Sequence, residues 1–121
     1  MDYKNDMQLI ITVVKKGWGD RVLAAMANMG IVGGTVLNGR GRSSSQGILG
    51  MALSLEKEVV LTAVEPSMID EAMSKAVEAG ELNTSGIGIC MCLPLTAAFT
   101  APSPNESKEG VAGAADERPQ Q

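Results

Sequence analysis

Apolar positions along this 121-residue chain follow two alternating periods. The unbroken run Leu9-Ile10-Ile11-Thr12-Val13-Val14 predicts a strand. After it, Trp18, Val22, Ala25, Met26 and Met29 recur at spacings of three and four, forming the apolar stripe of a helix over 18–29. Gly30 then supplies a left-handed cap, and Gly33-Gly34-Thr35-Val36-Leu37 predicts a second strand. The order then repeats. Glu58-Val59-Val60-Leu61-Thr62-Ala63-Val64 predicts a strand, and Ile69, Ala72, Met73 and Ala76 mark a helix over 67–79 that Gly80 ends. Ile87-Gly88-Ile89-Cys90-Met91-Cys92-Leu93 completes the second unit. Two starts are open for the second helix: a capping box of Ser67 with Asp70, or Pro66 at the first helical position under Glu65.

A strand–helix–strand unit used twice is the ferredoxin-like pattern. The expected class is α+β, a βαββαβ sandwich in which two helices cover one face of a four-stranded antiparallel sheet. The folded domain spans 7–95, after a flexible N-terminus at 1–6. Residues 96–121 are Ala, Pro, Ser, Gly, Glu and Gln without periodicity and are expected to form a disordered tail. The strands carry a second message. Val59, Leu61 and Ala63 alternate with Val60, Thr62 and Val64, and Ile89, Met91 and Leu93 with Cys90 and Cys92, so both faces are apolar. The outer face of an antiparallel sheet in a monomer is ordinarily polar. A second subunit is therefore expected on that face, which makes the chain an obligate oligomer.

Composition narrows the function. The net charge is −4 and Trp18, Tyr3 and Phe99 are the only aromatics, so phosphate-backbone affinity and base stacking both lack their residues and no nucleic-acid partner is expected. With no histidine, the commonest general base and metal ligand are missing. No paired carboxylates stand out, so an enzyme is not expected. No stretch reaches the roughly 18 apolar residues of a membrane span, and a cytoplasmic protein is the expectation. Cys90 and Cys92 share a face of the last strand and could meet a soft metal or act in redox chemistry, but buried core thiols are the simpler account.

Between the halves lies Asn38-Gly39-Arg40-Gly41-Arg42-Ser43-Ser44-Ser45-Gln46-Gly47, read as a polar loop over 38–46. Glycines let backbone amides approach an anion, two arginines two apart project to one side, and serines add donors. A solvated, flexible connector accounts for the same residues, and the P-loop ending Gly-Lys-Ser/Thr is missing. A second glycine-rich stretch, Asn83-Thr84-Ser85-Gly86-Ile87-Gly88, could bring amides to a ligand or simply serve a tight turn.

Met29-Gly30-Ile31-Val32-Gly33-Gly34-Thr35-Val36, Gly39-Arg40-Gly41-Arg42, Leu55 through Leu61, Gly80-Glu81-Leu82, Gly86-Ile87-Gly88 and Leu93-Pro94-Leu95 together resemble, in order, the PII signalling-protein superfamily, also called the nitrogen regulatory protein P-II family. That resemblance implies a PII-like homotrimer in signal transduction, with adenine-nucleotide sites between subunits. It also implies a mobile loop that docks on a partner protein, such as a membrane transporter. By position, Gly33 and Thr35 match second-strand nucleotide contacts. Gly39, Arg40, Gly41, Arg42 and Ser43 lie at the loop root, and Gly86, Ile87 and Gly88 match the phosphate-holding loop of the facing subunit. Departures bear on the ligand. Ile89 stands where the family has a lysine and Ser43 where it has a glutamine; the downstream arginines are missing from 96–104, and the loop has no tyrosine for uridylylation. AMP, ADP or another small anion is therefore favoured over ATP with 2-oxoglutarate, and no cofactor is certain. An alternative is a metal- or redox-responsive trimer similar to the divalent-cation-tolerance proteins, using Cys90 and Cys92.

Overall fold

The computed structural model describes residues 3–42, 54–84 and 88–100. Its elements are β1 (Gln8–Lys15), α1 (Gly19–Asn28), β2 (Thr35–Arg42), β3 (Ser54–Val64), a 3-10 turn (Pro66–Met68), α2 (Ile69–Ala79) and β4 (Ile89–Pro94). The four strands form one sheet in the order β2-β3-β1-β4, every neighbour antiparallel. This is the ferredoxin-like α+β arrangement. Among the described residues no helix is long and apolar enough to cross a membrane.

Alternation along the two central strands decides what faces the helices. Ile10 and Thr12 of β1 pair with Thr62 and Val60 of β3, and Val14 and Val64 lie on the same face towards opposite ends of the ladder, all buried. Val22 and Met26, one turn apart on α1, and Ala72 and Ala76, one turn apart on α2, close over them. Trp18, Leu23, Met29, Met73 and Leu82 pack around this centre, with Cys90 and Cys92 on the same side.

Among the described residues no helix lies on the other face. Register lines up Leu37, Val59, Val13 and Ile89 in one row across all four strands, with Leu61, Ile11 and Met91 in the next and Ala63, Leu9 and Leu93 in a third. Leu37, Ile89, Met91 and Leu93 are 46, 51, 39 and 41 % exposed. So continuous an aliphatic surface is the two-faced apolar pattern expected from the sequence, laid open.

Three boundaries differ from expectation. Strand β2 begins at Thr35, because Gly33 and Gly34 take φ of +93° and +142° and form the approach to it. It then runs to Arg42, so Asn38–Arg42, expected in a loop, are strand: they pair from Asn38↔Glu58 to Arg42↔Ser54. A ladder needs only backbone donors and acceptors, and β3 supplies them by extending back to Ser54. Residues 43–53 lie outside the described residues. At α2, Pro66 opens the 3-10 turn under Glu65 and no side-chain cap forms, which settles the two readings for proline and against the capping box.

Gly30 takes the left-handed conformation, φ +87°, while after α2 that role falls to Glu81 at φ +54° and Gly80 stays at −88°. The first residues of the expected tail are tied to the N-terminus. Ala98 and Lys4 exchange backbone bonds of 2.7 and 2.8 Å, Leu95 donates to the Met7 carbonyl at 3.0 Å, and Tyr3 meets Phe99 edge-on at 6.4 Å. These bonds carry the β1–β4 pairing past Gln8. Residues 101–121 lie outside the described residues.

Thr62 is buried with its hydroxyl lacking a hydrogen-bond partner. Burying such a group unpaired costs on the order of 1–3 kcal/mol, and valine has nearly the same shape. Thr62→Val is expected to stabilise the protein by about 1 kcal/mol. Thermal melts of the two proteins check this, and a lower melting temperature in the variant would refute it.

Candidate functional site

Strand β1 stops at Lys15, opposite Lys57, while β2 and β3 continue as a two-stranded ribbon. The chain leaves β1 through Lys16 and Gly17, whose φ of +90° turns it toward α1. Between that exit and the ribbon lies a cleft of about 430 Å³ lined by Lys16, Asn38, Gly39, Arg40, Glu56 and Lys57. Three cations and one carboxylate give the lining an excess of positive charge in a chain whose net charge is −4.

The carboxylate is held. Lys16 Nζ lies 2.8 Å from Glu56 Oε1, and Arg40 is the cross-strand partner of Glu56. The hydrogen bond from Lys16, with its charge, holds the Glu56 carboxyl below the ordinary carboxylate range, and Arg40 adds a smaller pull. The same bond raises Lys16 above the usual lysine value. Glu58, two residues on, does a different job. Its Oε1 accepts the Gly19 N–H at 2.7 Å, putting a negative charge on the first turn of α1. Gly19 suits this close approach, since a Cβ there would lie 2.7 Å from Glu58 Oε1 and 2.8 Å from Val36 Cγ1. Trp18 precedes α1 with Lys15 Nζ 4.4 Å and Arg21 Cζ 4.1 Å from its ring centre, a cation–π clamp that steadies the exit from β1.

The glycines expected at the site fall into three kinds. Gly33 needs its positive φ, and Gly88 is demanded by packing, because a Cβ there would run into the Val13 carbonyl oxygen. Gly39 and Gly41 need neither. Their φ values are ordinary, and among the described residues a Cβ would meet only Val59 Cγ2 at 3.5 Å or Lys57 Cγ at 3.7 Å, which is normal contact.

One chain gathers only part of the expected set. Gly39 and Arg40 line the cleft, Thr35 and Gly41 share the outer face of β2 with Gly39, and Arg42 is exposed at the end of the ribbon. Gly88 precedes β4, the opposite edge of the sheet. Three interstrand steps separate the edges, roughly 14 Å at 4.7–4.9 Å each. Ser43, Gly86 and Ile87 lie outside the described residues. Sequence reasoning missed Lys16, Glu56 and Lys57 as lining residues, while Asn38 opens the polar stretch that it singled out. The charged run Glu56-Lys57-Glu58 leading into an apolar strand was the available signal for two of them; Lys16 meets the cleft only through the fold.

Cys90 and Cys92 face the helix side. The Cys90 sulfur lies 3.7 Å from Thr12 Oγ1, and the Cys92 thiol donates to Gln8 Oε1 at 3.0 Å. Burial pushes the Cys90 thiol up, against a smaller opposing pull from Thr12, which disfavours the thiolate needed for metal or redox work. Among the described residues no cluster of three or more Cys, Asp or Glu side chains could hold a metal.

No family model matches the sequence, and no curated protein does. In structure the chain is similar to the crystal structure of Arabidopsis thaliana PII bound to citrate, with a TM-score of 0.64 over 81 % of this chain and 82 % of that one. Identity between the two is 17 %, so the likeness is one of fold: the ferredoxin-like sheet here has the PII form.

Gly88→Ala separates packing from any ligand role at that position. A methyl against the Val13 carbonyl forces β4 away from β1, and overpacking of this kind costs about 1–3 kcal/mol. Thermal melts without any added ligand should show the loss; an unchanged melting temperature would mean that Gly88 is not held there by packing.

Proposed function

We propose that this chain is a PII-like signal-transduction protein: a homotrimer that binds a small anion or adenine nucleotide at clefts between subunits and regulates a partner protein, for instance a membrane transporter. The observation that carries this reading is the pair Gly39 and Gly41 flanking Arg40 on β2, with Gly39 itself in the lining of the cationic cleft. Nothing among the described residues calls for glycine at those two positions, so the bare backbone suits a group arriving from outside. The uncovered aliphatic face supports assembly, because a single chain leaves Leu37, Ile89, Met91 and Leu93 in water. Assembly would also resolve the split site. A neighbouring copy that brings its β4 edge against β2 sets Gly88 across from Gly39–Arg42, whereas within one chain Gly88 lies at the opposite edge of the sheet.

The citrate on the Arabidopsis protein supports an anion as the class of ligand. For a nucleotide, Arg42 and the amides near Gly88 are the phosphate contacts, with Arg40 and Thr35 on the same strand, Gly33 in the approach to it and Ser43 next in sequence after Arg42. Ile89, where a cation would reach further phosphates, adds nothing, which favours AMP or ADP over ATP. This is a regulator rather than an enzyme, with its effect passed on through the segment at residues 38–48, and a cytoplasmic setting suits it.

Two measurements test the reading. Light scattering at micromolar concentration should give about three times the chain mass, and a stable monomer would sink the trimer. Titration calorimetry with AMP, ADP, ATP and citrate should show that Arg42→Ala weakens the phosphate-bearing ligands by roughly 1.5–3 kcal/mol, the range of a charge-assisted hydrogen bond, while leaving adenosine unaffected. Tight ATP binding indifferent to Arg42→Ala would put the phosphate site elsewhere.

A further inference from the structure

We infer that Glu56 is a built-in competitor of the cleft, a carboxylate that holds Lys16 until an arriving anion displaces it and so sets how concentrated that anion must be. The inference rests on the anion-binding reading above and adds a residue that opposes binding. Its basis is geometric. Among the described ion pairs, Lys16–Glu56 is the one whose two members both line the cleft; Lys4–Glu65, Arg21–Glu81 and Lys75–Glu78 lie elsewhere. Its carboxylate already holds the place a ligand anion would take, 2.8 Å from Lys16 and on the strand position facing Arg40.

The pair is also easy to break. The side chains of Lys16 and Glu56 are 63 and 65 % exposed, so each regains water when separated. Glu58 shows the contrast two residues along the same face of β3: half-buried, it caps α1 through Gly19 and cannot leave without uncovering a helix end. Glu56 supports no element of the fold in this way. Displacing it releases the Lys16 ammonium and leaves Lys16 and Arg40 beside the incoming anion.

The test is titration of inorganic pyrophosphate into the full-length protein and its Glu56→Gln variant. The amide keeps the shape and removes the charge. Binding is expected to tighten about three- to fivefold, the upper range for an exposed ion pair. Glu65→Gln, the same charge change at the exposed Lys4–Glu65 pair, should leave affinity unchanged; equal tightening there would make the effect one of net charge and overturn the inference. In a Lys16→Ala background, Glu56→Gln should gain much less, because no ammonium remains to be released, and a full gain would also overturn it. Pyrophosphate binding to the parent with no gain in Glu56→Gln defeats the inference and leaves the anion cleft standing. Binding by neither protein defeats both, whereas binding measurable only in Glu56→Gln supports both.

Discussion

Everything described depends on the eight-residue antiparallel register between β1 and β3, from Gln8↔Val64 to Lys15↔Lys57. Side chains on a strand alternate strictly, so this register chooses one of two apolar sets for the helices and leaves the other outward. Ile10, Thr12 and Val14 with Val60, Thr62 and Val64 go under α1 and α2, and Ile11 and Val13 with Val59 and Leu61 go to the open face. A slip of one residue would exchange the two sets. Because both are apolar, hydrophobicity alone distinguishes them weakly. Thr12 and Thr62 make the point: two hydroxyls are buried under the helices while leucine and methionine are left outside.

The same register creates the cleft by ending. With β1 stopping at Lys15, its pairing no longer covers the β2–β3 ribbon, and the exit through Lys16 and Gly17 stands beside it. The sign of the charge there is local. Lys15 and Arg21 are engaged with Trp18, while Lys16, Arg40 and Lys57 line the cleft with Glu56 among them. An acidic chain thus carries a positive recess, and at such short range the neighbouring side chains outweigh the distant net charge, which salt screens within about 8–10 Å.

Glycine illustrates how a fold and a site can ask for the same residue. Gly33 answers to a backbone angle, Gly19 and Gly88 to atoms that crowd the missing side chain, and Gly39 and Gly41 to nothing among the described residues. Treating the glycine-rich stretches as one signal would credit the ligand with positions that packing already explains. The distinction leaves β2 as the part of the candidate site least accounted for by the fold itself.

The sequence by itself determined the element order, the class of fold and the doubly apolar sheet, because the 3.6-residue and two-residue periods are properties of local backbone geometry and survive without any knowledge of neighbours. It also carried the glycines and arginines at Gly39–Arg42. It misread Asn38–Arg42 as loop, since these residues lack the side chains of a strand and owe their conformation to the backbone of Ser54–Glu58 across the ladder. Only the tertiary structure decided that Lys16 and Glu56, forty residues apart, share a recess with Arg40, and that Gly88 sits on the far edge of the sheet from them. Charged side chains have no periodic signature; which of them meet depends on strand order and on where each strand ends, and those are settled by the packing of the whole chain.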